Sequence, residues 1–348
     1  MLAVKWIDRS LNQSALQNYL KFLYTPAPDT LYKGVKELEP GQILKIDINE
    51  SSILCDYFYN LVDRIAVNHD LDYSSAVSGF SEKFHHSIKL RLQSDVPLGV
   101  YLSGGMDSNA IAAACIDVKL PSELHSFTMD YDVAEGHFNE TALAKSASSM
   151  YGIKHSTVSF VENNSFEQSI RRSVELFGVP FGNSTALSAD KMAQTVAGTH
   201  KVCLVGDGGD EILIGYPRYK AISHHHRYSQ LPKWLISIAS QMSAFIPEKG
   251  GNAMTIRRAK QFISHLNDSV GEAFLERSTY ANNESITRAT GTHFNSSFYD
   301  GLLDVFNTYH SDPILAASIV DLKSFVPYNL MQCADRTSMA HSLELRCP

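Results

Sequence analysis

The stretch Val96–Ala114, VPLGVYLSGGMDSNAIAAA, constrains the fold of this chain more than any other. Val96, Leu98, Val100 and Leu102 make an apolar run that reads as a buried strand. It breaks into Ser103-Gly104-Gly105-Met106-Asp107-Ser108, and a small, alanine-rich helix follows at once. Strand, glycine turn and helix start in direct succession gather backbone N–H groups and the positive end of a helix dipole, which together stabilise an anion. Gly104 and Gly105 permit close backbone approach, Ser103 and Ser108 offer hydroxyls, and Asp107 is an oxygen donor for a metal. These residue types suit a polyphosphate with Mg²⁺. The plainer alternative is a turn whose glycines serve geometry alone, and the serines and aspartate argue against it.

No Gly-Lys-Ser/Thr follows the glycines, so this is not a Walker loop, and the GxGxxG spacing of dinucleotide folds is missing. A second apolar strand, Val202–Val205, runs into Gly206-Asp207-Gly208-Gly209-Asp210-Glu211. Crowded carboxylates repel one another unless cations stand among them. Ligands of open α/β sheets sit beyond the carboxyl ends of the strands. Two such turns, one suited to anions and one acidic, are therefore expected to face each other across a nucleotide, with Asp107 and Asp210 sharing magnesium. A solvated acidic turn is the alternative.

SGGMDS resembles the loop of the ATP pyrophosphatases, and the two segments together resemble the synthetase domain of class B (glutamine-hydrolysing) asparagine synthetases. Three further stretches carry the likeness: Tyr24–Thr30 (YTPAPDT) with Gly34 and Leu38-Glu39-Pro40-Gly41; Val179–Ala186 (VPFGNSTA); and Ala334–Pro348 (ADRTSMAHSLELRCP). They occur in the family's order from about residue 15 to the last residue.

The resemblance implies an adenine nucleotide α-hydrolase-like fold. It also implies a reaction in which ATP activates the aspartate side chain as β-aspartyl-AMP with release of pyrophosphate. Ammonia then attacks, giving asparagine and AMP. Ser103, Gly104, Gly105, Asp107 and Ser108 would hold pyrophosphate, while Tyr101, Leu102, Met129, Val205 and Gly206 would line the AMP pocket. Asp107 and Asp210 would bind Mg²⁺. Asp207 would take a proton from ammonia, as general-base chemistry requires, and Arg336 is the candidate for charge pairing at the reacting groups.

The family's pattern is not kept throughout. Position 2 is Leu and the earliest cysteine is Cys55, so the glutaminase nucleophile is not expected in this chain. The chain ends at Cys347-Pro348 inside a motif that continues in the family, and a downstream catalytic lysine is missing. A fragment or a split gene with a separate glutaminase subunit is the expectation. Val205 replaces a usual serine, Val179 and Asn183 stand where acids are common, Cys333 where a lysine often stands, and Ile214 replaces a glycine. The changes at Val179, Asn183 and Val205 leave open an adenylating cyclase of β-lactam synthetase or lasso-peptide cyclase type, and the missing glutaminase and lysine leave open a non-catalytic nucleotide-binding fragment.

Composition narrows the classes. The chain has 348 residues and a net charge of -7, which disfavours a nucleic-acid partner. Five scattered cysteines form neither a zinc pair nor a disulfide framework, so reduced thiols in the cytoplasm are expected, with Cys115 and Cys203 in the core. Trp234–Ile246 is too short and polar to span a bilayer and reads as a surface helix; no membrane partner is expected, and a homodimer is left open. His224-His225-His226 reads as a solvated patch, and His341 as structural. Arg346 is a charge partner for a ligand or for Glu344.

The predicted architecture is α/β, a parallel sheet with helices on both faces followed by a mostly helical part. Residues 1–60 are expected to be a domain boundary and linker, and 61–348 the synthetase domain. Expected helices are Gln13–Leu23, Tyr73–Gln93, Asn139–Tyr151 (capped by Asn139), Phe166–Phe177 and Ala186–Val196. Expected strands are Ile43–Ile48, Ile53–Phe58, Val96–Leu102, Leu124–Asp130, His155–Phe160 and Val202–Val205. Everything after Gly215 is expected to be helical, with polar loops at Lys249–Asn252 and Thr290–Ser297.

Overall fold

Short, largely buried central strands organise the protein. The computed structural model describes residues 4–66, 70–131, 140–160, 165–247 and 253–348. It opens with helix α1 (Gln13–Phe22) and a hairpin of β1 (Gln42–Asp47) and β2 (Ser52–Tyr57). There follow α2 (Tyr73–Arg91), β3 (Leu98–Tyr101), α3 (Met106–Ile116), β4 (Leu124–Asp130), α4 (Thr141–Tyr151), β5 (Lys154–Ser159), α5 (Phe166–Phe177), α6 (Ala186–Val196) and β6 (Val202–Leu204). Helices then dominate: α7 (Gly209–Leu213), α8 (Pro217–Tyr228), α9 (Lys233–Ala244), α10 (Ala253–Ser264), α11 (Val270–Ser278), α12 (Asn283–Thr290), α13 (Ser297–Thr308) and α14 (Pro313–Lys323). A π-helical stretch, Val326–Met331, leads into α15 (Gln332–Met339), and the last element is β7 (Glu344–Arg346).

Five strands form one sheet in the order β5-β4-β3-β6-β7, every neighbouring pair parallel. Successive side chains of a strand point to opposite faces. Leu98, Val100 and Leu102 meet Ile88 of α2, Ile111 and Cys115 of α3, and Ala144 of α4. Phe127 and Cys203, with Tyr101 beside them, meet Met192, Ala193 and Val196 of α6. Both faces are thus covered by helices. Each fully buried aliphatic side chain contributes about 1.5–3 kcal/mol, which is why a sheet of such short strands holds.

The chain is not helical to its end: β7 pairs with β6, with Glu344 N–H donating to the Lys201 carbonyl (2.9 Å) and Val205 N–H to the Arg346 carbonyl (3.0 Å). Three residues are too few to show a period, so only the neighbouring strand reveals this one. β3 begins at Leu98 because Pro97 has no N–H for the ladder. His225 is not solvated: it is buried, with Nε2 3.2 Å from the Asp268 carbonyl oxygen. The cap proposed at Asn139 and the loop at Lys249–Asn252 lie outside the described residues, whereas α4 does stop at Gly152 in a left-handed conformation. Cys115 and Cys203 are core residues, and burial pushes both thiols up to about 12.

The chain divides into two compact units, Met1–Arg64 with Asp210–Tyr328, and Ile65–Gly209 with Asn329–Pro348. The second holds the five-stranded sheet. The first holds the hairpin, whose strands are exposed almost throughout, and the helices α8 to α14. One continuous helical stretch, Pro313–Met339, is by length and composition apolar enough to cross a membrane, and half of its most apolar window is buried inside the protein.

Candidate active site

The turn after β3 is built from its own short side chains. Ser103 N–H donates to Ser108 Oγ (3.1 Å), the two serine hydroxyls are 2.9 Å apart, and Gly105 N–H donates to Ser103 Oγ (3.0 Å). Asn109 Nδ2 donates to the carbonyls of Ser103 (3.1 Å) and Gly105 (2.7 Å). Gly104 N–H donates to Glu140 Oε2 (2.9 Å). Gly105 is the N-cap of α3 and supplies no side-chain acceptor to the helix. The first amides of a helix have no partner within it, so α3 presents its positive end beside Asp107.

The acidic turn after β6 packs onto this helix start. A Cβ on Gly209 would fall 2.7 Å from Asp107 Oδ2, and one on Gly206 would fall 3.3 Å from Asp107 Cβ and 3.4 Å from the Ser108 nitrogen. The glycines of the second turn are therefore the means by which it reaches Asp107. Ser103 to Ser108, Gly206 and Gly209 come together in one compact unit.

Asp207 is exposed, yet desolvation by the surrounding protein still raises its carboxyl above the ordinary value. Its charge in turn raises three neighbours already pushed up by burial: the Tyr101 phenol, the Cys333 thiol (to about 11) and the Cys347 thiol (to about 12). The Tyr101 hydroxyl is buried without a hydrogen-bond partner, a polar atom left for a ligand to satisfy. Met129 and Tyr101 pack on the α6 side of the sheet. Leu102 and Val205 are buried, and their main chains are bonded within the protein: Leu102 N–H to the Phe127 carbonyl (2.9 Å) and its carbonyl to Thr128 Oγ1, Val205 N–H to the Arg346 carbonyl.

Arg336 lies exposed on α15. Arg346 pairs with Glu344 (Nε–Oε1 2.8 Å) and donates to the carbonyls of Arg91 and Gln93, so it holds β7 in place. His341 Nε2 lies 2.8 Å from Asp190 Oδ1, and the Asp190 carboxylate also takes a two-point contact from Arg172 (2.9 and 2.7 Å). On the loop before α6, Asn183 Nδ2 donates to Asn329 Oδ1 (2.8 Å).

In the other unit, Asp210 opens the acidic part of α7, and a Cβ on Gly215 would fall 1.8 Å from its Oδ1. Behind it Glu211 is fully buried, and burial raises its carboxyl. Arg218 packs on the rings of Tyr216 and Phe325 (4.6 and 5.0 Å) and pairs with Asp321 (2.9 Å), which also accepts from the Tyr219 hydroxyl (2.5 Å). Sequence reasoning missed Glu140, Asn109 and this cluster. Asn109 alone had a local signal, sitting four and six residues after the two carbonyls it binds.

Residues 79–348 match the family model for asparagine synthase. The chain belongs to the asparagine synthase family. It is 26% identical over its whole length to asparagine synthetase (glutamine-hydrolysing) 1 of Bacillus subtilis, of which it covers 53%. Over 70% of its length it is 28% identical to a Methanocaldococcus jannaschii protein provisionally named asparagine synthetase (glutamine-hydrolysing) 2, covering 46% of that protein. It is also 25% identical over 92% of its length to amidase chyE of Penicillium rubens, covering 51%. The chain thus spans about half the length of the curated relatives it matches. Among solved structures, an NH3-dependent NAD synthetase from Campylobacter jejuni aligns over 73% of this chain and 95% of its own at 11% identity and a TM-score of 0.31, too distant to carry an argument.

Proposed function

We propose that this asparagine synthase domain forms an amide at the expense of ATP, cleaved to AMP and pyrophosphate, with aspartate as the carboxyl substrate and ammonia as the acceptor. The observation that carries the reading is the packing of the Gly206–Gly209 turn against Asp107 at the start of α3. It puts an anion-binding helix end, a carboxylate and a second strand-end turn together, as phosphate binding in α/β sheets requires.

The residues fit a magnesium nucleotide. Among the described residues no three His, Cys, Asp or Glu side chains cluster as a metal cage. Mg²⁺ needs none, because it is held by one or two carboxylates together with substrate phosphates and water. In this proposal Asp107 and Asp210 are the carboxylates that would hold the ion, and the ion would supply positive charge at the pyrophosphate. Ser103 to Ser108 seat the pyrophosphate, and Tyr101, Leu102, Met129, Val205 and Gly206 the AMP. Asp207 holds the proton lost by the attacking amine; a raised carboxyl is better matched to that task than an ordinary one. Arg336 supplies positive charge near the reacting carboxyl. The surroundings are cytoplasmic, and glutamine-derived ammonia would come from another domain or subunit.

A second reading keeps the adenylation and changes the carboxyl substrate. The neutral set Val179, Asn183 and Cys333 and the likeness to a protein named an amidase favour it. Aspartate-dependent release of pyrophosphate from ATP tests the first reading. Asp107→Ala should lower that release by at least about a hundredfold, the scale on which charge stabilisation at the reacting centre acts. Release equal in the two proteins would reject it. AMP formation with other carboxylic acids but not aspartate would establish the second.

A further inference from the structure

We propose that Glu140 is a positioning residue of the anion turn: by accepting the Gly104 N–H it sets the backbone that presents the first amides of α3. The inference deepens the ATP-binding reading above and rests on it. Glu140 immediately precedes α4, and its Oε2 lies 2.9 Å from the Gly104 nitrogen. Leu143, on the next turn, covers the same glycine: a Cβ on Gly104 would fall 2.8 Å from Leu143 Cδ1 and 3.5 Å from Glu140 Cβ. The start of α4 therefore grips the turn at one residue with a charged hydrogen bond and an apolar contact, and only glycine fits beneath it.

The other donors show what the grip leaves over. The N–H groups of Ser103 and Gly105 are taken by the hydroxyls of Ser108 and Ser103. With Gly104 bonded to Glu140, all three turn amides already have acceptors inside the protein. Of the backbone donors in the Ser103–Ser108 segment, those left to a phosphate are at the start of α3, from Met106 onward, where no side chain of the N-cap competes. A polyphosphate would not share Gly104 with a carboxylate, because like charges repel. Glu140 thus acts through the turn's geometry and not by touching the ligand. A hydrogen bond to a charged acceptor is among the stronger ones a backbone amide makes.

The test measures affinity for inorganic pyrophosphate with Mg²⁺ by calorimetry, on the full chain and its variants, alongside unfolding without ligand. Glu140→Ala should bind about tenfold more weakly or worse. Glu140→Gln, whose amide oxygen still accepts the Gly104 N–H, should stay within about twofold of wild type. A residue that only stabilises the fold would not produce this contrast at a temperature where all variants are folded. Leu143→Ala removes the apolar half of the grip and should also weaken binding, so the proposal stays testable if Glu140→Ala does not fold. Wild-type affinity in Glu140→Ala would overturn the proposal. Tighter binding would also overturn it, since Glu140 would then be a competitor of the phosphate, and so would equal losses in Gln and Ala. Absence of pyrophosphate binding by the wild type would instead reject the ATP-binding reading, and this inference with it.

Discussion

Gly209 has no side chain because Asp107 occupies the place where one would stand, and that single exclusion ties the two turns together. At the same scale Asp207 makes a prediction about pH. Desolvation by the surrounding protein raises its carboxyl above the ordinary value of 3.8, so the folded state holds the proton more tightly than the unfolded chain. The stability gained is fully present at low pH and is lost as pH rises through the folded value. Asp207→Asn should therefore melt above wild type at pH 8, while amide formation falls by at least about a hundredfold, the lower end of the range for a lost general base. In wild type, the rate should drop as pH falls through the raised value, because the base must be ionised. A variant that melts below wild type at pH 8 would contradict the assignment. The residue types at both turns were legible in the sequence. Glu140 was not: nothing in the order of residues says that a carboxylate beginning one helix will bind a glycine 36 positions earlier.

Helices α5 and α6 occupy the spans that their apolar spacing and end signals predict, Phe166–Phe177 and Ala186–Val196. The start of α5 shows why. Ser165 accepts from the Gln168 N–H (3.3 Å) while Gln168 Oε1 accepts from the Ser165 N–H (2.8 Å), so orphan donors are satisfied reciprocally at the helix end. Ser165→Ala should cost about 1 kcal/mol and Ser165→Gly less, measured by urea unfolding with an unchanged slope. An unaltered midpoint in the alanine variant would show that the cap adds nothing. The short strands were less legible. β6 and β7 have three residues each, and β7 exists because β6 offers it partners.

Residues from the two ends of the first unit meet over one buried cation. Lys21 is fully buried in α1. Its Nζ lies 2.6 Å from Glu276 and 2.9 Å from Asn283, with the rings of Phe294 and Tyr299 at 5.4 and 5.3 Å. A lysine in the helix expected over Gln13–Leu23 gives no hint of this, because its partners lie about 255 residues away. Removing one member of a buried pair strands the other and costs about 3–5 kcal/mol. Lys21→Met should lose stability of that order in denaturant unfolding, and Lys21→Met with Glu276→Leu should recover part of it. Equal stability of wild type and Lys21→Met would show that Glu276 is satisfied by the Tyr299 hydroxyl alone, which donates to it at 3.0 Å.

Local order of residues was enough to determine the strand–turn–helix at SGGMDS, the acidic turn, the alternation that makes a parallel sheet with two covered faces, and the family. Each depends on neighbours in the chain, on backbone propensity and on side-chain period. The tertiary structure alone decided that β7 closes one edge of the sheet, that residues 1–64 join 210–328 in one unit, that Asp107 meets Gly209, and that Glu140 holds Gly104. These pairings join residues far apart in sequence. They form because buried polar groups must find partners and apolar faces must be covered, and many distant residues could have met either demand.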